Sequence, residues 1–345
     1  MSSSNDTLDD WYTNATIQIN RYLTIIVFCF GTIGNILNIL ILSQRPFRSN
    51  PCIWLFLISS YANLLSILFG LTTRIKSGWS YDVTDTNACL CKIRAFIVFT
   101  SRTIASWLIT LATINRWASS CINANYRRMN TLRKAQQGTI IIILISILLY
   151  VHMFYCYDAN RTDVPLNCYS KTILCRHLTD LTYGFITVLC PLFLMFIFGF
   201  MTILNVRQSK RRTYNLILKV IDQNNTKILD DQHKQLKKKP DYHLLLILFV
   251  QIFLLTLLTL PQAIQKIYST IIQKNSLNSL DEAINDFIYS FVLLLSFIAS
   301  GIPFYIYTLC GGNIFRRALY NLINMIKNKI TCQSLEILLI EAELY

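Results

Sequence analysis

The chain has 345 residues, of which 53% are hydrophobic and 14% charged, with a mean hydropathy of +0.43 and a formal net charge of +14. Soluble domains carry roughly 25% charged residues, so a soluble globule is excluded. Ten Gly, seven Pro and eleven Cys over this length also exclude collagenous, disordered and disulfide-scaffold classes, leaving a polytopic membrane protein.

The first 20 residues are polar and acidic (Asp6, Asp9, Asp10), with no basic leader or small-residue cleavage site, so the first apolar run is expected to act as an uncleaved insertion signal. Seven stretches then approach the roughly 20 apolar residues that a helix needs to cross a bilayer. They are Tyr22–Leu42, Ile53–Thr72, Ala95–Ser119, Thr139–Tyr155, Leu181–Val206, Leu244–Lys266 and Ala283–Leu309. The third and seventh carry polar residues, which makes six the competing count. The predicted fold class is an all-α membrane protein, a seven-helix bundle over 22–309. A polar tail (1–21) precedes it, and an amphipathic helix with a tail (310–345) follows.

Charge placement supports seven. With the N-terminus outside, the inner segments hold 21 of the 32 basic residues and 7 of the 18 acidic ones, as expected when Lys and Arg are retained in cytoplasmic loops. The Asn-x-Ser/Thr acceptors Asn5, Asn14 and Asn160 fall outside, as glycosylation requires, whereas Asn224 falls inside. The expected location is the plasma membrane with the C-terminus cytoplasmic. Anionic inner-leaflet lipids and a cytosolic protein fit the basic loops. Nucleic acid does not, because there is no basic recognition helix or aromatic-interleaved sheet.

In the third span Arg102, Ser106, Ile109, Thr113 and Arg116 recur at steps of four and three, which is one helix face. A largely polar stripe must face the bundle interior. Arg102 lies roughly 16 Å along the helix from Cys91, where an unpaired Arg costs at least about 2.5–3.5 kcal/mol. It needs an internal acceptor, a water-filled cavity or an anionic ligand. Two readings follow: a ligand-pocket floor with Gln262 and Gln265 on its wall, or a structural hydrogen-bond network. Arg74 and Lys76 add positive charge near the mouth. Kinks are expected at Pro191, Pro261 and Pro303, because each proline removes a backbone bond.

Gly34-Asn35, Pro191, Pro261, the 25-residue interval from Cys91 to Arg116 and Phe315-Arg316-Arg317-Ala318-Leu319 together resemble the rhodopsin-like G-protein-coupled receptors. Phe304-Tyr305-Ile306-Tyr307-Thr308-Leu309 and Leu260-Pro261-Gln262-Ala263-Ile264-Gln265-Lys266 are most similar to divergent invertebrate peptide-type, FMRFamide-receptor-like members. The resemblance covers about 22 to 327. It implies an extracellular ligand, a heterotrimeric G-protein partner, no cofactor and no enzymatic activity.

It also implies a bond from Cys91 to the second outer loop, where Cys168 is preferred over Cys175. Cys89 and Cys175 form a second bridge or stay free thiols. Cys29, Cys190 and Cys310 are expected to pack as small apolar residues, and Cys332 is a palmitoylation candidate. The family's amine-binding Asp position is Val98, which disfavours a small amine and favours an amidated or acidic peptide.

For activation, the resemblance pairs Arg116 with Asp241 as a resting latch between the third and sixth helices. Arg116 could instead snorkel into headgroups, and Asp241 could cap its helix. Asn35, Asn63, Pro261, Pro303 and Tyr307 complete the switch, and Arg116, Arg207, Arg211, Lys238 and Lys239 are the G-protein contacts. Asn35 and Asn63 are expected to bond each other or the seventh span.

Several motifs depart from the family. The triplet reads Asn115-Arg116-Trp117, Asn63 stands for the second-span Asp, Thr259 stands for the sixth-span Trp, and Tyr307 follows Pro303 one residue too far. With Asn63 and Ala105 in place, no bound sodium is expected. There is no Walker loop, His-Glu-x-x-His or nucleophile elbow, and His152, His177, His233 and His243 are too scattered to bind metal. A seven-helix transporter or channel subunit and a ligand-insensitive receptor descendant remain the alternatives.

Overall fold

The computed structural model describes residues 2–79, 86–159, 168–221, 240–271, 279–310, 315–325 and 327–328. Seven helices are long and apolar enough to cross a membrane: Thr7–Leu42, Pro51–Lys76, Ala88–Ser120, Leu132–Cys156, Ile173–Ser209, Phe249–Thr270 and Ser279–Gly301. They are called spans one to seven below. The chain is thus a seven-helix membrane bundle, and residues 315–325 form a further short helix.

The boundaries depart from the apolar runs where polar residues continue a helix. Span three begins at Ala88, not Ala95, because the Asn87 side chain accepts from the backbone N–H groups of Cys89 and Leu90 and so caps the helix. Span five begins at Ile173, not Leu181, where Thr172 caps in the same way through the Cys175 N–H. The polar N-terminal segment, read as a tail, is helical from Ser2 to Gln18 and runs into span one through a π-helical turn, Ile19–Leu23. Its Trp11 and Tyr12 rings pack on Phe287 of span seven.

Spans one and seven meet through glycine. A Cβ at Gly301 would lie 2.7 Å from Gly31 Cα, and one at Gly34 would lie 2.9 Å from Gly301 O. Small residues permit such backbone approach between membrane helices. Beside this contact Asn35 Nδ2 donates to Gly31 O (2.8 Å) and to Ser300 O (3.0 Å). Of the two expectations for Asn35, the bond to the seventh span is the one formed. Gly301→Val should force the two spans apart, costing about 1–3 kcal/mol. An unchanged melting temperature in detergent would contradict this packing.

The prolines act differently. Pro303 follows a break at Ile302 that divides Ser279–Gly301 from the helix Pro303–Cys310. Ahead of Pro191 the chain adopts an eight-residue π-helix, Thr182–Leu189, whereas Pro261 lies within the continuous helix Pro240–Ile271. The exterior carries large apolar side chains such as Ile141, Leu144, Leu148, Phe193 and Phe200, as a lipid-facing surface requires. Cys29 and Cys190 are exposed there, not packed inside; the side chain of Cys310 lies outside the described residues. In the short helix Phe315, Ala318 and Leu322 are buried while Arg316 and Arg317 are exposed, an amphipathic pattern.

Candidate functional site

One end of the bundle carries two disulfides. Cys91 at the start of span three bonds Cys168, and Cys156 at the end of span four bonds Cys175 in the first turns of span five. Cys89 is free and exposed while Cys175 pairs with Cys156, so neither the Cys89–Cys175 bridge nor the pair of free thiols is formed. Cys156 lies one residue beyond the fourth apolar run, where hydropathy marks no partner for Cys175. Between the bridges, Tyr157–Asp158 and Tyr169–Ser170 pair as a two-stranded antiparallel hairpin. Burial raises both tyrosine phenols well above their usual range, and the nearby Asp180 charge raises Tyr169 further. Both are therefore neutral at physiological pH.

The hairpin residues Tyr157, Cys168 and Tyr169 form one end of a cavity enclosing about 660 Å³, including space open to solvent, and Arg102 lies at the other. A second cavity of about 540 Å³, reaching Asn63 and Ser300, lies on the far side of Arg102. Arg102 is the residue that lines both.

Arg102 is 8% exposed. Its Nη1 donates to Tyr183 Oη (2.9 Å, span five) and to Gln262 Oε1 (3.1 Å, span six). Its Nη2 donates to Ser296 Oγ (2.6 Å, span seven), and the group lies 4.1 Å over the Phe297 ring. Three spans converge on one side chain of a fourth. Every acceptor is neutral, and Nε has no partner among the described residues, so the positive charge is solvated but not neutralised. Thr113 and Ile109 on the same face are also buried; the stripe faces inward.

Val98 and Gln262 line the cavity with Arg102. Gln265 does not: its Nε2 donates to Asn285 Oδ1 of span seven at 2.5 Å, because one turn further along span six the side chain turns to the adjoining helix. The sequence reading missed Tyr183, Ser296 and Phe297, whose roles depend on cross-helix distances. It also missed the ion pair of Lys266 and Asp180, which are 3% and 2% exposed. Asp180 lies in the first helical turns of span five, ahead of the apolar residues that begin at Leu181, so hydropathy does not mark it. Arg74 is buried too, donating to Asn20 Oδ1 (3.3 Å) and lying 5.8 Å from the Tyr289 ring centroid.

At the opposite end Arg116 Nη2 is buried without a hydrogen-bond partner among the described residues. The side chain of Asp241 lies outside them, as do Lys238, Lys239 and Asn160 and the side chain of Asn5. Asn14, Arg207 and Arg211 are exposed. Tyr307 Oη donates to Gln251 Oε1 of span six at 3.3 Å and its ring packs on Phe56 and Phe315, joining three helices and the short terminal one. Asn63, 5% exposed, lines the second cavity.

No curated protein matches the chain. The model of the 7 transmembrane receptor (rhodopsin family) matches residues 34–307, most of the chain, from Gly34 within span one to Tyr307 beyond span seven. The seven spans, the Cys91–Cys168 tie between span three and the following hairpin, and this match agree: the chain belongs to the rhodopsin family of seven-transmembrane receptors.

Proposed function

We propose that the chain is a plasma-membrane receptor of the divergent peptide type, with the disulfide-bearing end outside, that activates a heterotrimeric G protein. The observation that carries this reading is the cavity between the hairpin and Arg102, because the side chain at its base holds spans five, six and seven at once. A ligand that bonds Arg102 competes with Gln262, the neighbour of Pro261, and so favours a different position of span six. Its unequal affinity for the two arrangements is the switch.

The other end supplies the output. Arg116 and Asp241 form the resting latch, and moving span six opens a site lined by Arg116, Arg207, Arg211, Lys238 and Lys239 for the G protein. Asn35, Asn63, Pro303 and Tyr307 carry the change along span seven. Asn5, Asn14 and Asn160 are the outer glycosylation sites, and the ligand is an amidated or acidic peptide contacting Arg102, Val98 and Gln262.

Reporter assays across G-protein classes test this with Asp241→Arg. The variant should raise basal second-messenger output at equal surface expression by freeing Arg116. Output equal to that of the parent in every class removes the latch. A substrate flux or current with no second-messenger change would replace the receptor reading by a transporter or channel.

A further inference from the structure

Positive charge is enriched around the cavity to a degree that the fold does not require. Arg74, Arg94, Arg102 and Lys266 all line it, and none of its lining residues is acidic. Lys266 is matched by Asp180. Arg74 and Arg102 are both more than nine-tenths buried, and among the described residues neither pairs with a carboxylate. They have only neutral partners: Asn20 and Tyr289 for Arg74, and Tyr183, Gln262 and Ser296 for Arg102. Arg102 retains a buried Nε–H with no acceptor. Two guanidinium charges on one low-dielectric cavity repel each other and are poorly solvated. A fixed acid would remove that cost, and among the described residues none pairs with Arg74 or Arg102.

We infer that the cavity takes a carboxylate-bearing ligand, with its anionic head between Arg74 and Arg102 and its apolar body against Phe99, Leu293 and Phe297. A carboxylate suits guanidinium groups because its two oxygens accept paired N–H donors in one plane. The cavity wall includes Ala95, Val98, Phe99, Leu293 and Phe297, which receive an alkyl or aryl body. This deepens the receptor reading and rests on it for the site's role, since it selects the acidic member of the two ligand types named there. An amidated terminus offers the cavity no charge. The head comes either from a free carboxylic acid or from the C-terminus of a peptide.

The test uses the full chain in lipid nanodiscs and four probes: hexanoate, hexanamide, N-acetylphenylalanine and N-acetylphenylalanine amide. The acids should raise the melting temperature, by about 5 °C at a hundredfold excess over Kd, while the amides leave it unmoved. A shift with hexanoate alone identifies a free acid as the source, and a shift with N-acetylphenylalanine alone identifies a chain terminus; either supports the proposal. Arg74→Gln and Arg102→Gln should abolish the shift.

Val98→Glu keeps the proposal falsifiable if those variants fold poorly. It puts an acid four residues before Arg102 on the same helix, so it should raise the melting temperature of the ligand-free protein above that of Val98→Gln and remove the response to acids. Equal shifts by acids and amides, no shift with any probe, or Val98→Glu melting no higher than Val98→Gln would overturn the carboxylate site. Second-messenger assays separate the two readings. Acid-specific stabilisation with no signalling in any G-protein class leaves the site and removes the receptor function. Signalling by an uncharged ligand with no acid-specific shift does the reverse.

Discussion

Cys91→Ser or Cys168→Ser should destabilise the protein more than Cys156→Ser or Cys175→Ser, by about 4 kcal/mol against about 3 in the chain-entropy picture. The ordering follows from the sequence separations closed by the two bonds, 77 and 19 residues, because a longer loop loses more freedom when its ends are joined. The functional consequences should differ as well. Cys168 lines the cavity, so losing its bond releases the hairpin from span three and should reduce ligand response even where surface expression persists. Losing Cys156–Cys175 frees the junction of spans four and five while the hairpin stays anchored through Cys91. Thermal melts of the purified variants would decide, and a larger loss in the Cys156 or Cys175 variants would contradict the assignment.

Asp180→Asn should destabilise the bundle by about 3–5 kcal/mol, the cost of leaving one member of a buried pair uncompensated. Lys266 Nζ has Asp180 as its hydrogen-bonded acid and otherwise lies 5.4 Å and 5.5 Å from the Phe99 and Tyr183 ring centroids. Without the acid, a buried ammonium remains between aromatic rings. Lys266→Met should cost less, since Asp180 keeps Arg176 at 3.9 Å and the Thr270 hydroxyl at 3.5 Å. The double variant Asp180→Leu/Lys266→Met should regain much of the stability lost in Asp180→Asn. Surface expression and melting temperature of the three variants form the measurement. Equal losses for Asp180→Asn and Lys266→Met would show that the pair shares its charge with groups other than these.

The two predictions differ in how far the sequence announced them. Cys91 and Cys168 were legible because the interval to Arg116 and the distance from Pro191 mark their places along a family-like chain. Asp180 was not, because a hydropathy window begins span five where apolar residues begin, at Leu181, while the helix begins at the Thr172 cap. Hydropathy senses transfer free energy averaged over a window, whereas a helix start is set by a side-chain acceptor for the first free N–H groups. The same cause moved the start of span three from Ala95 to Ala88.

The sequence by itself determined what is local or periodic: seven apolar runs, the segregation of basic residues between loops, and the polar stripe of span three that turns Arg102 inward. Those features depend on chain period and composition, which are one-dimensional. Tertiary structure alone decided the partners of that arginine. Tyr183, Gln262 and Ser296 are 81, 160 and 194 residues away in the chain, and only the packing of four helices brings them within hydrogen-bond reach. Packing likewise paired Cys156 with Cys175 and turned Gln265 to Asn285. Whether a side chain meets a cavity or a neighbouring helix depends on the rotation and crossing of each span, and the period of the sequence does not encode the identity of the facing residue.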